Sequence, residues 1–300
     1  MLSSNMRGSL FMVTAMAVFT FNDATVKYLS DSLPIPQIVL LRGIITTAMV
    51  AAIVLAGKRA TLRQDLSEPV IWWRALMEIG ATYTYLVGLK HIPIANAASI
   101  FAAVPLAVTV GSAVFFHEPV GWRRWLAIIV GFVGVLIIVR PGFENFSVYS
   151  FYIVLCVGFA TVRDLITRNA PPHIPSLTFS LATSIAITLT GVVFTAGAGR
   201  FVPVEPGQYG LILMASCFLL VGYFCAVSAV RNGEIAVISP FRYTSLIWAT
   251  SIGYIVFNEK LDFYSAIGSL IVVSSGIYTL YRERRLAINR DRERRIPQSR

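Results

Sequence analysis

The sequence predicts an all-α polytopic membrane protein with ten transmembrane helices, arranged as two inverted five-helix repeats. Three observations carry that prediction. The 300 residues are 56% hydrophobic and only 13% charged, with a mean hydropathy of +0.71, whereas a soluble domain carries about 25% charged residues. Apolar runs of spanning length follow one another along the whole chain, and no stretch is long and polar enough for a separate soluble domain. The second half also repeats the first at an ungapped offset of 141 residues: Asp23-x-x-x-Lys27 returns as Asp164-x-x-x-Arg168, Pro34 as Pro175, Ile94-Ala95 as Ile235-Ala236, Phe116 as Phe257 and Glu118 as Glu259.

The first apolar run, 8–29, holds Asp23 and Lys27 and has no small-residue cleavage site, so it is expected to be a retained helix and not a removed signal peptide. Pro34 and Pro36 introduce the second, 35–56, and Gly57-Lys58-Arg59 close it. The third, 70–89, places Arg74 and Glu78 one turn apart. Pro93 opens the fourth, 93–115, which contains Pro105, and His117-Glu118-Pro119 separates it from the fifth, 121–139. After Arg140-Pro141-Gly142 the pattern restarts at 148–169 with Arg163 and Asp164 inside, and Pro171-Pro172 lead to 176–196. A loop from Gly197 to Pro206 precedes 208–230, then 234–256 with Pro240, and finally 263–281. The domain division expected is a first repeat over 1–142, a second over 143–281 and a basic tail over 282–300.

The net charge of +10 is unevenly spread: the tail holds eight arginines against Glu283, Asp291 and Glu293, half of the excess. No basic face interleaved with stacking aromatics occurs, so no nucleic-acid partner is expected. With the N-terminus inside, the inner ends carry Arg7, Lys58, Arg59, Arg63, Arg123, Arg124, Arg168 and Arg231, and the outer loops carry Lys90, Arg140, Arg200 and Lys260. That asymmetry places both termini in the cytoplasm. Five spans per half is an odd number, so the second copy enters the membrane inverted, a route to alternating access. Cys156, Cys217 and Cys225 fall in apolar runs and suit buried small hydrophobes. His91, His117 and His173 lie at segment ends without metal-ligand spacing. No metal, cofactor or catalytic residue is expected, because no nucleophile–base pair appears within the membrane.

Charges inside hydrocarbon usually face an interior or a water-filled cavity. Asp23 and Arg42 lie at matching depths of roughly 9–10 Å, at 1.5 Å per residue, and form a candidate ion pair. Asp23 and Arg42 are expected to gate one mouth, and Arg163 and Asp164 the other. Lys27, Arg168 and Arg74, near span ends, are expected to staple helices or reach the headgroups. The expected solute site comprises Glu78, Tyr83, Ser99, Phe101, Tyr223, Arg242, Tyr243 and Trp248, where aromatic faces accompany opposite charges. Glu78 and Arg242 would answer ammonium and carboxylate groups. The fifth and tenth spans carry Gly131, Gly134, Gly268 and Gly276 in place of charges, which suits close helix packing or a peripheral, dimerising position.

The residues Asn22-Asp23-Ala24 with Lys27, Arg42, Arg74-Ala75-Leu76, Pro105-Leu106, His117-Glu118-Pro119, Gly233-Glu234-Ile235-Ala236 and Asn258-Glu259-Lys260 resemble EamA-type carriers of the drug/metabolite transporter superfamily. The resemblance runs over about residues 7–281 and is nearest to the YddG-type amino-acid exporters of bacterial inner membranes. It implies a ten-helix inverted-repeat carrier, with helices one to four and six to nine around a central cavity and five and ten outside it. The expected function is export of small metabolites, amino acids including aromatic ones, by a non-enzymatic carrier. The alternative is uptake of S-adenosylmethionine or another cationic metabolite. The expected partners are a small-molecule solute and membrane lipid, in a monomer or weak homodimer.

Overall fold

The computed structural model describes residues 4–57, 62–118, 120–141, 147–171, 173–199, 201–232 and 235–295, and contains no strand among them. Lys58, Arg59 and Arg200 of the charge asymmetry lie outside the described residues, as do Pro119, Gly142, Pro172 and Gly233-Glu234. The first half contains α1 (Ser4–Leu29), α2 (Ile35–Ala56), a short α3 (Leu62–Ser67), α4 (Pro69–His91), α5 (Ile94–Phe101), α6 (Val104–Phe115) and α7 (Trp122–Val139). The second contains α8 (Val148–Arg168), α9 (Ser176–Gly197), α10 (Pro206–Asn232), α11 (Ile235–Ile238), a 3₁₀ turn (Ser239–Tyr243), α12 (Thr244–Phe257) and α13 (Phe263–Arg295). Prolines set several starts: Pro34, Pro93 and Pro175 are the residues that precede α2, α5 and α9. Arg140 and Asn258 end α7 and α12 in the left-handed conformation.

Among the described residues eight helices are long and apolar enough to cross a membrane, with α5 and α6 counted together as Ile94–Phe115. Two of the ten predicted segments fall outside that group. The 23-residue α4 is diluted by Arg74, Glu78 and its tyrosines, and α12 alone has 14 residues. The fourth and ninth predicted spans are broken. Pro105 lacks an N–H, so the carbonyl of Phe101 loses its helical partner and the chain turns at Ala102–Ala103 before α6. Pro240 sits in the 3₁₀ turn that joins α11 to α12. Two further differences are α3, in a predicted loop, and α13, whose helix runs on through the predicted tail to Arg295.

On α7, Trp122, Leu126, Ile129, Val133 and Leu136 are exposed, while Ala127, Gly131, Gly134 and Ile138 on the opposite face are buried. An exposed apolar stripe of that length is a lipid-facing surface, since water would oppose it. The buried face meets α13, where Gly134 and Gly268 stack so that a Cβ on either would meet the other's carbonyl oxygen at 2.9 and 2.7 Å. Gly276 receives the Tyr243 hydroxyl. Of the two roles expected for these glycines, close helix packing within the molecule is the one they fill. At one end of this pair Arg140 binds Asp262, whose carboxylate also accepts from the Ser265 hydroxyl at 2.6 Å. Burial pushes the Asp262 carboxyl up, but the Ser265 and Arg140 bonds outweigh it and hold the group below its ordinary value.

The principal packing pairs run between halves: α1 on α10, α4 on α8, α2 on α9 and α7 on α13. Exchanging each element for the one 141 residues away turns α1–α10 into α8–α4, and the pairs α6–α8 and α1–α12 likewise interchange. The exchange leaves α2–α9 unchanged. These two cross at Thr47 and Thr188, themselves 141 residues apart, whose hydroxyls are 3.0 Å from each other. Numbers rise along α2 as they fall along α9: Leu40 faces Gly191, Gly43 faces Thr188, and Val54 clusters with Leu181. A Cβ on Gly191 would meet the Leu40 Cα and N at 2.8 Å, where only backbone movement gives relief. Gly191→Val is therefore expected to lower the thermal unfolding midpoint in detergent by an overpacking cost of about 1–3 kcal/mol. Gly158→Val, at a mid-helix position with nothing within 4 Å of an added Cβ, is the matched control and should leave the midpoint nearly unchanged.

Candidate functional site

Polar side chains enter the bundle interior in two layers. In the first, Asp23 of α1 accepts from the Tyr85 hydroxyl at 2.8 Å and from the Asn22 amide at 3.0 Å. Asn22 turns its carbonyl to Arg42 of α2, which donates at 3.0 Å. The expected direct Asp23–Arg42 ion pair is thus relayed through Asn22. Tyr85 meets Phe101 edge-to-face at 5.6 Å. The chain bends at this point because Pro105 breaks the helix beyond Phe101, which brings an aromatic edge to the Asp23 layer.

In the second layer Arg163 of α8 contacts both Glu78 carboxylate oxygens at 3.2 Å and Asp164 at 2.8 Å. Arg74 approaches Glu78 at 3.8 Å and donates to Thr167 at 2.9 Å and Thr183 at 2.7 Å, binding α4 to α8 and α9. Tyr223 of α10 stands between the layers, 42% exposed and edge-on to Phe19 at 5.5 Å. Its phenol is within electrostatic reach of Glu78, Arg163, Arg74 and Arg42.

The remaining expected solute residues lie elsewhere. Ser99, 1% exposed, bonds the Ser269 hydroxyl at 2.6 Å and serves α5–α13 packing. Tyr243 is buried against Gly276 of α13. Arg242 is exposed on the 3₁₀ turn. Trp248 is half-buried, its indole N–H buried without a partner, and Tyr83 packs edge-on to Phe194 at 5.0 Å between α4 and α9. The opposite-charge set of Glu78 with Arg242 is therefore not assembled. Glu78 is instead bound by Arg163 and Arg74, and the layers that do assemble are built around Asp23–Arg42 and Glu78–Arg163.

Each end of the bundle carries an ionic clasp between halves. Lys27 binds Glu259 at 2.6 Å, with side chains only 11% and 16% exposed. Lys27 also donates to the Ile92 carbonyl, and the second Glu259 oxygen accepts the Ile94 N–H at 2.8 Å, so this clasp also holds the α4–α5 junction. At the opposite end Arg168 binds Glu118 at 2.6 Å, with side chains 51% and 43% exposed, and donates to Ser112 at 2.8 Å. Lys27 and Arg168 are 141 residues apart, as are Glu118 and Glu259. The clasps are therefore equivalent across the repeat, one shielded and the other open. The cations near span ends do staple helices, as expected. What the sequence reading missed was the glutamate partners of Lys27 and Arg168, although the shared offset of the two glutamates carried that signal.

The EamA-like transporter family model matches the chain twice, over residues 6–140 and 147–281, with both ends displaced by the same interval. The chain is 27% identical over 274 residues to the pseudopaline exporter CntI of Pseudomonas aeruginosa (strain UCBPP-PA14), covering 89% of this chain and 93% of that protein. It is 26% identical over 271 residues to an S-adenosylmethionine uptake transporter of Rickettsia bellii (strain RML369-C), covering 88% and 90%. It is 22% identical over 275 residues to a riboflavin transporter of Vibrio cholerae serotype O1, covering 90% and 91%. A solved crystal structure superposes with a TM-score of 0.66 over 93% of this chain and 98% of that one at 16% identity, a likeness of fold alone. These relatives are named for transport of pseudopaline, S-adenosylmethionine and riboflavin, so they establish a family of small-molecule transporters and not its amino-acid-exporter branch.

Because its clasp is shielded, Glu259→Gln leaves a buried ammonium unpaired, which costs about 3–5 kcal/mol. Glu118→Gln breaks an exposed pair worth about 0–1 kcal/mol. Thermal unfolding in detergent should therefore separate the two variants clearly, with the Glu259 change the more damaging; equal losses would refute the assigned difference in shielding.

Proposed function

The chain belongs to the EamA-like transporter family, and on that premise we propose that it is a bacterial inner-membrane carrier that exports amino acids, aromatic ones included, by alternating access. The single observation that carries this reading is the equivalence of the two clasps. A carrier must close one mouth while it opens the other, and an inverted repeat supplies the same device at each end. Here that device is Lys27–Glu259 at one end and Glu118–Arg168 at the other, the first shielded and the second open. The closed-under-exchange packing and the antiparallel crossing of α2 and α9 at Thr47 and Thr188 support two inverted five-helix units, with α4 and the α11–α12 run completing a set of ten spans. The two units fall in residues 1–142 and 143–281. Both termini then face the cytoplasm, as the positive-charge asymmetry expects.

The interior chemistry suits a zwitterion. Arg42 and Asp23 offer opposite charges in one layer, and Tyr223, Phe19, Tyr85 and Phe101 present aromatic edges beside it. Asp23, Arg42, Arg163 and Asp164 then belong to the solute path itself, and the gating assigned to them from sequence passes to the clasps outside. A second reading, uptake of S-adenosylmethionine, is favoured by the Rickettsia relatives. S-adenosylmethionine is itself an α-amino acid with an added cationic centre, so the same opposite-charge layer accommodates it.

Reconstituted proteoliposomes test the reading. Labelled tryptophan and phenylalanine should cross faster than through protein-free vesicles, and S-adenosylmethionine should compete less well than unlabelled tryptophan. Flux of S-adenosylmethionine alone would establish the second reading, and no flux of any of the three would reject both.

A further inference from the structure

We infer that Arg42 is the anion-recognition point of the interior, binding the carboxylate of a small aromatic solute. The inference rests on the carrier reading above and deepens it. Other cations of the clasps and the interior already have a carboxylate partner: Lys27 has Glu259, Arg168 has Glu118, Arg140 has Asp262, and Arg74 and Arg163 share Glu78. Among the described residues Arg42 has none within 4.0 Å. Its side chain, in a residue 8% exposed, makes one hydrogen bond, to the Asn22 amide oxygen. A guanidinium presents five N–H donors in a planar fork that matches a carboxylate. None of the Arg42 nitrogens is both buried and unpartnered, so those without a protein partner face accessible space.

The repeat makes this site peculiar to one half. The position equivalent to Arg42 is Thr183, which is occupied by Arg74, and the position equivalent to Asn22 is Arg163, which is occupied by Glu78 and Asp164. The second layer is therefore internally neutralised, while the first holds an arginine beside an amide. Asp23, nearby but directed to Tyr85 and Asn22, lends Arg42 charge without covering its fork. Tyr223 is in electrostatic reach of Arg42, and its ring packs on Phe19, so an arriving carboxylate would have aromatic surface next to it.

Indole-3-acetate and indole-3-acetamide differ in the charged group alone and serve as probes. With the whole chain in lipid nanodiscs, equilibrium binding of labelled indole-3-acetate should exceed that of the amide by about tenfold or more, the range of a charge-assisted hydrogen bond. Arg42→Gln should remove that preference by weakening acid binding more than amide binding. Arg42→Lys, a point charge without the fork, should restore part of it. Equal binding of acid and amide by the unmodified protein, no binding of either, or a preference that survives in Arg42→Gln would overturn the inference. The comparison within the unmodified protein holds even if Arg42→Gln fails to fold. Flux separates the two readings: solute crossing without acid preference refutes the role of Arg42 alone, and Arg42-dependent acid binding without any flux refutes the carrier reading alone.

Discussion

The charged clasp between the two halves is the interaction on which the rest of the arrangement depends. Lys27 ends the first helix with its ammonium shielded from water, and Glu259 arrives from the far side of the other half to meet it. An ammonium in that setting needs an anion and further hydrogen-bond acceptors. Glu259 supplies the charge and the Ile92 carbonyl completes the set, which also fixes where α4 ends and α5 begins. Because the sequence is duplicated, the same device recurs at the opposite end as Arg168 with Glu118. Neither half satisfies its own basic residue; each relies on the other's glutamate. The halves are thus tied at both ends, and the interior layers lie between the ties.

Divergence within the duplicated frame then separates the layers. At equivalent positions one half has Asn22 and the other Arg163, and one has Arg42 and the other Thr183. Where two arginines share Glu78, with Asp164 beside Arg163, the layer is ionically satisfied and ties α4, α8 and α9 together. Where Arg42 meets only an amide, positive charge is left available in the interior. A symmetric scaffold thereby acquires a chemically one-sided site.

Much of this was legible in the chain, and the reasons for the rest are physical. Helix content and the positions of most helices followed from apolar run length and the placement of proline, as at Pro34, Pro93 and Pro175. The breaks within the fourth and ninth segments were signalled by Pro105 and Pro240, but how the chain would bend was not, since that depends on what packs beside the freed carbonyl. The recurring Asp-x-x-x-basic motif identified the duplication. Matching depth pointed to Asp23 and Arg42 as direct partners, but depth along a helix says nothing about azimuth, and Asn22 takes the space between them. Ser99, Tyr243, Trp248 and Arg242 were grouped with the solute site for the same reason: position along a segment does not say which face a side chain occupies. The clasps were readable in principle. Opposite charges that recur at one offset in both halves are candidates to pair across the halves, as Lys27 does with Glu259 and Arg168 with Glu118.

The central claim is that these equivalent clasps open in turn. It is tested most directly by spin-label distances on a cysteine-free background, with one pair at Tyr28 and Leu261 beside the Lys27 clasp and another at the equivalent Asn169 and Val120 beside the Arg168 clasp. On addition of a transported solute in nanodiscs, the first distance should lengthen in the population whose second distance shortens. Distances that change together at both ends, or that stay fixed while solute crosses the membrane, would contradict the account.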